Sequence, residues 1–160
     1  PKDVIEITVE LATEMLRLAG KTDVDVQAAL KDGRAMDKWL AMISAQGGDP
    51  AAKLPAAKEN QTVTATSDGV ITKLDALSVG LASWRLGAGR ARKEDPIQFG
   101  AGVTLHAQLG DSVKAGDPLY TLHTDEPARF ERAAETIKNA YSIEAQAVVQ
   151  RKLVLDRISG

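Results

Sequence analysis

The spacing of apolar side chains predicts that the chain begins with a long helix. At about 100° per residue, five polar side chains fall on one narrow arc, and apolar side chains cover more than half of the circumference. The five are Glu6, Glu10, Thr13, Glu14 and Arg17. The apolar set is Val4, Ile5, Ile7, Val9, Leu11, Ala12, Met15, Leu16, Leu18 and Ala19. Asp3 and Glu6 have the spacing of a capping box at its start. A surface helix needs a narrower apolar stripe, so we expect this one to be covered on two sides.

Two shorter helices are predicted next, and both are apolar on one side. Thr22 or Asp23 is the expected cap of a helix that ends at residue 31, and a further helix is predicted over residues 34–45. Within the third helix, Met36, Leu40, Met42 and Ile43 are expected to face inward. Trp39, and Trp84 further along, are expected to belong to the core.

From residue 61 the period changes from that of a helix to the alternation of strands. The predicted strands are residues 61–66, 70–74, 103–108, 119–123, 147–150 and 153–158, with a short segment at 112–114. The turn residues 67–69 between the first two strands are typical of a hairpin.

Two capped helices are predicted among these strands. Asp75 is the expected cap of a helix that is closed by Gly87, and Asp125 is the expected cap of a second. The apolar side of the second helix is predicted to comprise Phe130, Ala133, Ala134, Ile137 and Tyr141.

The fold class predicted from these elements is α+β. It has a helical N-terminal lobe and a C-terminal domain in which an antiparallel, barrel-sandwich-like sheet is flanked by helices. The predicted divisions are residues 1–47 as a helical segment of an upstream domain, 48–60 as a linker and 61–160 as the α+β domain.

Composition narrows the classes of function. Twenty basic and 22 acidic residues leave a formal charge of −2, which gives no electrostatic reason to expect a nucleic acid or a membrane as partner. There are no cysteines, so disulfides, thiolate nucleophiles and cysteine zinc sites are excluded. No apolar run approaches the ~20 residues of a membrane span, and a cytoplasmic location is expected.

One basic, glycine-rich segment is the candidate functional site. It consists of Arg85, Gly87, Gly89, Arg90, Arg92 and Lys93. The functional hypothesis is a mobile loop that helps a cleft to close or attracts a phosphate-bearing ligand. The alternative is a helix C-terminus at Gly87, with the basic residues complementing the helix dipole and pairing with Glu94 and Asp95.

The histidines and the remaining acidic residues are interpreted as structural. His106 and His123 lie on predicted strands without a third ligand at metal-binding spacing, so we expect hydrogen-bonded or surface histidines and no metal. Asp111, Asp117 and Asp125 occupy turns and a helix cap, and they lack the dense oxygen cluster that calcium requires.

Several stretches resemble the C-terminal part of pyrimidine-nucleoside phosphorylases, and the resemblance covers essentially the whole chain. They are residues 68–97, which include GAGRARKED at 87–95, residues 109–119 with the following Leu122-His123, the chain end at 156–159, and, upstream, Met15-Leu16 and residues 45–49. Gln98 departs from the resemblance, because the family more often has an acidic residue there. The resemblance implies part of a cytosolic, homodimeric enzyme that exchanges a pyrimidine base for phosphate at the anomeric carbon of ribose or deoxyribose.

The resemblance also implies that this chain lacks the catalytic residues. The Thr-Gly-Gly-Thr segment and the phosphate loop of the family have no match here, and the resemblance places them before Pro1. We therefore assign no catalytic residue, expect the chain alone to be inactive, and expect no cofactor, with phosphate as the co-substrate of the intact enzyme. Specificity for thymidine alone or for several pyrimidine nucleosides is left open.

Two other classes of function are considered. The GDSVKAGDPL run at 110–119, followed by Thr124-Asp125, resembles half of a lipoyl or biotinyl carrier domain. Glu126 stands where such a carrier would need its modified lysine, and a carboxylate cannot form that amide. A non-catalytic interaction module is the third possibility.

Overall fold

The structure, a computed structural model, describes residues 1–145 and 152–158. Its helices are α1 Lys2–Leu18, α2 Val26–Lys31, α3 Arg34–Ala45, α4 Ala76–Ser83 and α5 Phe130–Ile137. Its strands are β1 Glu59–Thr64, β2 Gly69–Leu74, β3 Gly102–Leu105, β4 Ser112–Val113, β5 Pro118–Thr124 and β6 Tyr141–Glu144. Helices and antiparallel strands together make the fold α+β, as predicted.

The chain divides into two compact units, and each is described by itself. The first contains α1, α2 and α3 together with the described tail, residues 152–158, and the second contains the remaining elements. β1 begins at Glu59, inside the range that the sequence predicted as a linker. No helix in the described ranges is long and apolar enough to cross a membrane.

In the first unit, two predicted helix caps are wrong. Pro1 precedes α1, and no side chain caps the helix. Asp3 lies within the first turn, where its negative charge interacts favourably with the positive end of the helix dipole. Asp25, rather than Thr22 or Asp23, caps α2 by accepting a hydrogen bond from the Ala28 N–H at 2.9 Å. α3 has the predicted bounds.

The apolar side chains of this unit are largely exposed, so its described residues do not supply the cover on two sides that the pattern of α1 calls for. α1 buries no residue, and Met15 and Leu18 are 70% and 73% exposed. On α3, Met36, Leu40 and Met42 are exposed as well, and Trp39 is 46% exposed rather than in the core.

The described tail lies against α1 without forming the predicted strand. Nη2 of Arg157 is 2.6 Å from Oε1 of Glu10 and 3.6 Å from Oε2 of Glu14. Residues 152–158 contain no strand, and Leu153, Val154 and Leu155 line a cavity together with residues of α1. The other predicted terminal strand, residues 147–150, lies outside the described residues.

The second unit contains two three-stranded antiparallel sheets. Their strand orders are β1-β5-β3 and β4-β2-β6. The predicted hairpin of β1 and β2 is therefore wrong, because these consecutive strands lie in different sheets. Ala65 lies between the two strands and is buried. Its N–H donates to the Asp117 carbonyl at 2.8 Å, and its carbonyl accepts from the Gly116 N–H, so the contact with the segment before β5 continues past the end of β1.

α4 and α5 pack with the sheets around one apolar core. The fully buried residues include Ile71, Leu86, Leu122, Ala133 and Ile137. Burying such side chains supplies the main favourable free energy of folding. Trp84 is 39% exposed and does not belong to this core, contrary to the prediction.

The C-terminal part of the second unit differs from the prediction at two residues. Asp125 does not cap α5. Its Oδ1 accepts from the Lys58 N–H at 3.0 Å, and a 3₁₀ turn at Pro127–Arg129 leads into the helix. Tyr141 belongs to β6 and stacks on Tyr120 with ring centroids 5.5 Å apart. Burial raises the pKa of the Tyr141 hydroxyl to about 12.

Candidate functional site

The candidate site is the segment that leaves α4, which we call the arginine loop (residues 87–97). Asp75 directly precedes α4 and caps it. Its Oδ2 accepts hydrogen bonds from the Ser78 N–H at 3.1 Å and from the Ser78 hydroxyl. The predicted cap at Asp75 is thus confirmed. After Ser83 the helix widens into a π-helical turn at Trp84–Ala88, a feature that is frequent at functional sites.

Two glycines permit the backbone path at the start of the arginine loop. Gly87 has φ of 112°, a conformation that favours glycine, and a Cβ there would lie 2.8 Å from Cδ of Gln98. A Cβ on Gly89 would lie 2.7 Å from Cδ1 of Trp84. Close contacts therefore require glycine at both positions.

Arg85 is held against α5, away from the other basic residues of the predicted site. Its Nη1 donates to the Arg132 carbonyl at 3.3 Å and to the Thr136 hydroxyl. Nε of Arg85 is buried without a partner among the described residues. The guanidinium thus joins the turn that follows α4 to α5.

The tip of the arginine loop presents three cations to solvent. Arg90, Arg92 and Lys93 are exposed, and they make no ion pair with any residue that the structure describes. The Asp95 carboxylate instead accepts from the N–H groups of Ala91 and Arg92, at 3.1 and 2.8 Å. The alternative in which these cations pair with Glu94 and Asp95 therefore has no support in the described residues. Exposed cations that are not neutralised by an ion pair attract anions, including phosphate.

Gln98, which departs from the family resemblance, holds the base of the arginine loop. The Gln98 N–H donates to the Gly87 carbonyl at 3.0 Å. Its side-chain Oε1 accepts from the Asp125 N–H at 2.7 Å and the Thr124 hydroxyl at 3.1 Å, and Nε2 donates to Glu126 Oε1 at 2.6 Å. These partners lie 26 to 28 positions away in sequence, and no local pattern could have indicated them.

The histidines are hydrogen-bonded on one face of the sheet that contains β5. Nε2 of His106 is 2.8 Å from the Thr121 hydroxyl, and Nε2 of His123 is 2.9 Å from the Thr104 hydroxyl. The expectation of hydrogen-bonded histidines is confirmed. Within residues 1–145 and 152–158, no three His, Asp or Glu side chains are grouped so as to hold a metal ion.

Of the aspartates Asp111, Asp117 and Asp125, the first two stabilise turns, as predicted. Oδ2 of Asp111 accepts from the Gln108 N–H at 2.7 Å, and Oδ2 of Asp117 accepts from the Lys114 N–H at 2.8 Å. Both contacts close the turn that precedes the aspartate.

The carrier-domain alternative fails at the residue on which it depends. Oε2 of Glu126 lies 3.0 Å from Nε of Arg129, and Oε1 of Glu126 accepts from Gln98. The hydrogen bond from Arg129 is the main cause that lowers the pKa of the Glu126 carboxyl. At position 126 this chain therefore has an ionised carboxylate that contacts Arg129 and Gln98, whereas a carrier domain needs a free lysine at this position.

The fold and the site together define an α+β domain that presents an anchored, cationic loop. Residues 70–144 match the family described as the pyrimidine nucleoside phosphorylase C-terminal domain. These residues therefore form a pyrimidine nucleoside phosphorylase C-terminal domain, as the resemblance predicted.

Curated relatives agree with this family over more of the chain. A thymidine phosphorylase of Mycobacterium tuberculosis (strain H37Rv) is 45% identical over 158 residues, covering 99% of this chain and 37% of the relative. A pyrimidine-nucleoside phosphorylase of Bacillus subtilis (strain 168) is 35% identical over 152 residues, covering 88% of this chain and 34% of the relative. One of Staphylococcus epidermidis (strain ATCC 12228) is 38% identical over 136 residues, covering 78% and 31%. This chain thus spans about a third of the length of these relatives.

Proposed function

We propose that this chain is the C-terminal part of an enzyme that reversibly phosphorolyses thymidine or other pyrimidine nucleosides. In this reaction a phosphate oxygen bonds to the anomeric carbon, the bond from that carbon to the base nitrogen breaks, and the base leaves with a proton. The products are the free base and the sugar 1-phosphate. The observation that carries the proposal is the 45% identity to a thymidine phosphorylase across nearly the whole chain.

Within that enzyme, we assign this chain a supporting role. The catalytic groups would come from the upstream part, to which residues 1–47 would also belong. The arginine loop would help to close the cleft around phosphate and nucleoside, and closure would exclude water from the reaction. Its three exposed, unneutralised cations support this role, because they lower the free energy of a nearby phosphate dianion.

The remaining features of the proposed enzyme follow its family resemblance. It would be a cytoplasmic transferase of nucleoside salvage that acts as a homodimer, with phosphate as co-substrate and no further cofactor. The two sheets of residues 54–145 would form the predicted barrel-sandwich-like arrangement. No part of this role requires a nucleic acid or a membrane as partner.

A chimera tests the proposal directly. The matching C-terminal region of the M. tuberculosis thymidine phosphorylase is replaced by this chain, and release of thymine from thymidine is followed by chromatography. We expect phosphate-dependent release by the chimera, and none by this chain alone with thymidine or uridine. The same chimera without phosphate, and the relative without its C-terminal region, are the controls.

Two results would count against the proposal. Phosphate-dependent release of base by the isolated chain would show that it carries an active site of its own. A chimera that melts cooperatively and releases no thymine would show that this chain cannot serve such an enzyme.

A further inference from the structure

The two ends of the arginine loop meet at a single residue. Gln98 follows the loop directly, and its backbone N–H closes on the Gly87 carbonyl at 3.0 Å. Its carboxamide reaches the end of β5, where it bonds the Asp125 N–H, the Thr124 hydroxyl and the Glu126 carboxylate. One residue thus contacts both the start of the loop and the sheet below it.

The orientation of this carboxamide is determined by its neighbours. The Asp125 N–H can only donate, so it requires Oε1 of Gln98, and an ionised Glu126 can only accept, so it requires Nε2. A glutamine therefore satisfies both partners at once, and neither a charged nor an apolar side chain of similar length does.

Thr124 extends the contact to the turn that precedes the loop. Its hydroxyl is fully buried, 2.8 Å from the Leu86 carbonyl and 3.1 Å from Oε1 of Gln98. The Glu126 N–H donates to the same oxygen at 3.2 Å. Buried polar groups that lose their partners are costly, so this set of bonds is held or lost together.

We propose that Gln98 is the anchor that sets the conformation of the arginine loop. Its carboxamide holds the end of the loop on β5, its backbone N–H closes on the start of the loop, and the cationic tip stays in solvent. Gln98 is in this sense a positioning residue. The inference concerns the conformation of the loop without substrate, so it stands or fails independently of the proposed function.

The test compares Gln98→Glu with Gln108→Glu. The first substitution removes the donor and places a carboxylate against Glu126. The second makes the same change on an exposed residue whose side chain forms no hydrogen bond with the described residues. Brief trypsin digestion under native conditions reports the loop, because Arg90, Arg92 and Lys93 are cleavage sites within it. We expect cleavage in the loop to be at least about tenfold faster in Gln98→Glu and unchanged in Gln108→Glu.

A double variant supplies the rescue that a general loss of stability would not show. In Gln98→Glu with Glu126→Gln, the carboxylate still accepts from the Asp125 N–H, and the new amide at 126 can donate to it. We expect loop cleavage to return to within about threefold of the parent rate, since the donor and the acceptor have only exchanged places.

Gln98→Met keeps the test decisive if the charged variant fails to fold. It removes both hydrogen-bonding ends at similar size, and hydrogen exchange of residues 87–97 measures opening of the loop. Faster exchange there, with unchanged exchange in β2, is the expected result. Parent-like loop cleavage in Gln98→Glu, a double variant cleaved as fast as Gln98→Glu, or parent-like exchange in Gln98→Met would each overturn the anchor.

Discussion

At the scale of single residues, short carboxylate side chains bind backbone N–H groups where the chain changes direction. Asp75 does so at the start of α4, Asp95 at the tip of the arginine loop, and Asp111 and Asp117 in the turns around β4. Each contact spans only three residues, so each is available as soon as the local turn forms.

The cap at Asp75 predicts a pH-dependent contribution to stability. The hydrogen bonds from Ser78 are the main cause that lowers the pKa of the Asp75 carboxyl. A carboxyl with a lowered pKa stabilises the fold above its unfolded value of about 3.9, and the contribution is lost as pH falls through the folded value. Asp75→Ala should therefore lower Tm at pH 7, and the difference from the parent should shrink below about pH 4 in thermal melts.

Asp23→Ala is the matched control for this effect, because the Asp23 carboxylate accepts no hydrogen bond from the described residues. It should leave Tm unchanged at both pH values. A difference between Asp75→Ala and the parent that is the same at pH 7 and pH 3 would show that the carboxylate charge does not act as the cap.

The cationic tip predicts an effect on activity without an effect on stability. In the complete enzyme, Arg90→Ala with Arg92→Ala should lower kcat/KM by about tenfold or more, because cleft closure loses two charges that favour phosphate. Tm should hardly change, since exposed charges contribute only about 0–1 kcal/mol. Lys114→Ala, at an exposed cation of a different turn, is the control. If kcat/KM of the double variant is unaltered, the arginine loop takes no part in cleft closure.

At the scale of elements, the end of α4 decides where the arginine loop can go. The helix passes into a wide turn, and Gly87, with φ of 112°, lets the chain leave it against Gln98. A helix that ended regularly at Ser83 would direct the following residues elsewhere. The geometry of this end thus determines the place of the cationic tip.

A pair of glycine substitutions tests this element. Gly87→Ala should lower the free energy of unfolding by about 1–3 kcal/mol, because alanine is strained at that φ and its Cβ would contact Gln98. Gly80→Ala, in the middle of α4 with open space around it, should be neutral or stabilising by up to about 1 kcal/mol. Urea unfolding of both variants measures the difference, and equal midpoints would contradict it.

At the scale of the whole molecule, the exposed apolar residues of α1 are the feature with the largest consequence. Ile5, Leu11, Met15 and Leu18 lie on a helix that buries none of its residues. Exposed apolar surface of this kind is unusual on a monomer and tends to be hidden by association. In the proposed enzyme the upstream part would supply that cover.

The isolated chain should therefore self-associate through α1, or release α1 as a mobile arm. Light scattering should give a mass above 17.0 kDa that rises with concentration, and a chain that starts near residue 48 should be monomeric and folded. Met15→Lys should weaken association, and Leu54→Lys, at an exposed leucine outside α1, should not. A monomeric full chain with α1 protected in hydrogen exchange would show that this helix is already covered.

The sequence by itself determined what depends on near neighbours. α3 has the bounds that its pattern predicted, and Asp75, Asp111 and Asp117 bind N–H groups three residues away. The family was also evident from sequence, because its motifs are runs of consecutive residues.

Tertiary structure alone decided what joins distant parts of the chain. The sequence predicted that β1 pairs with β2. In the structure β1 pairs with β5, and Thr62, for example, lies opposite Thr121. Likewise, Gln98 stood out only as a departure, although its carboxamide joins the arginine loop to β5. The physical reason is the same in both cases. A strand edge or an amide can bind many equivalent partners, and which one it meets depends on how the core brings the elements together.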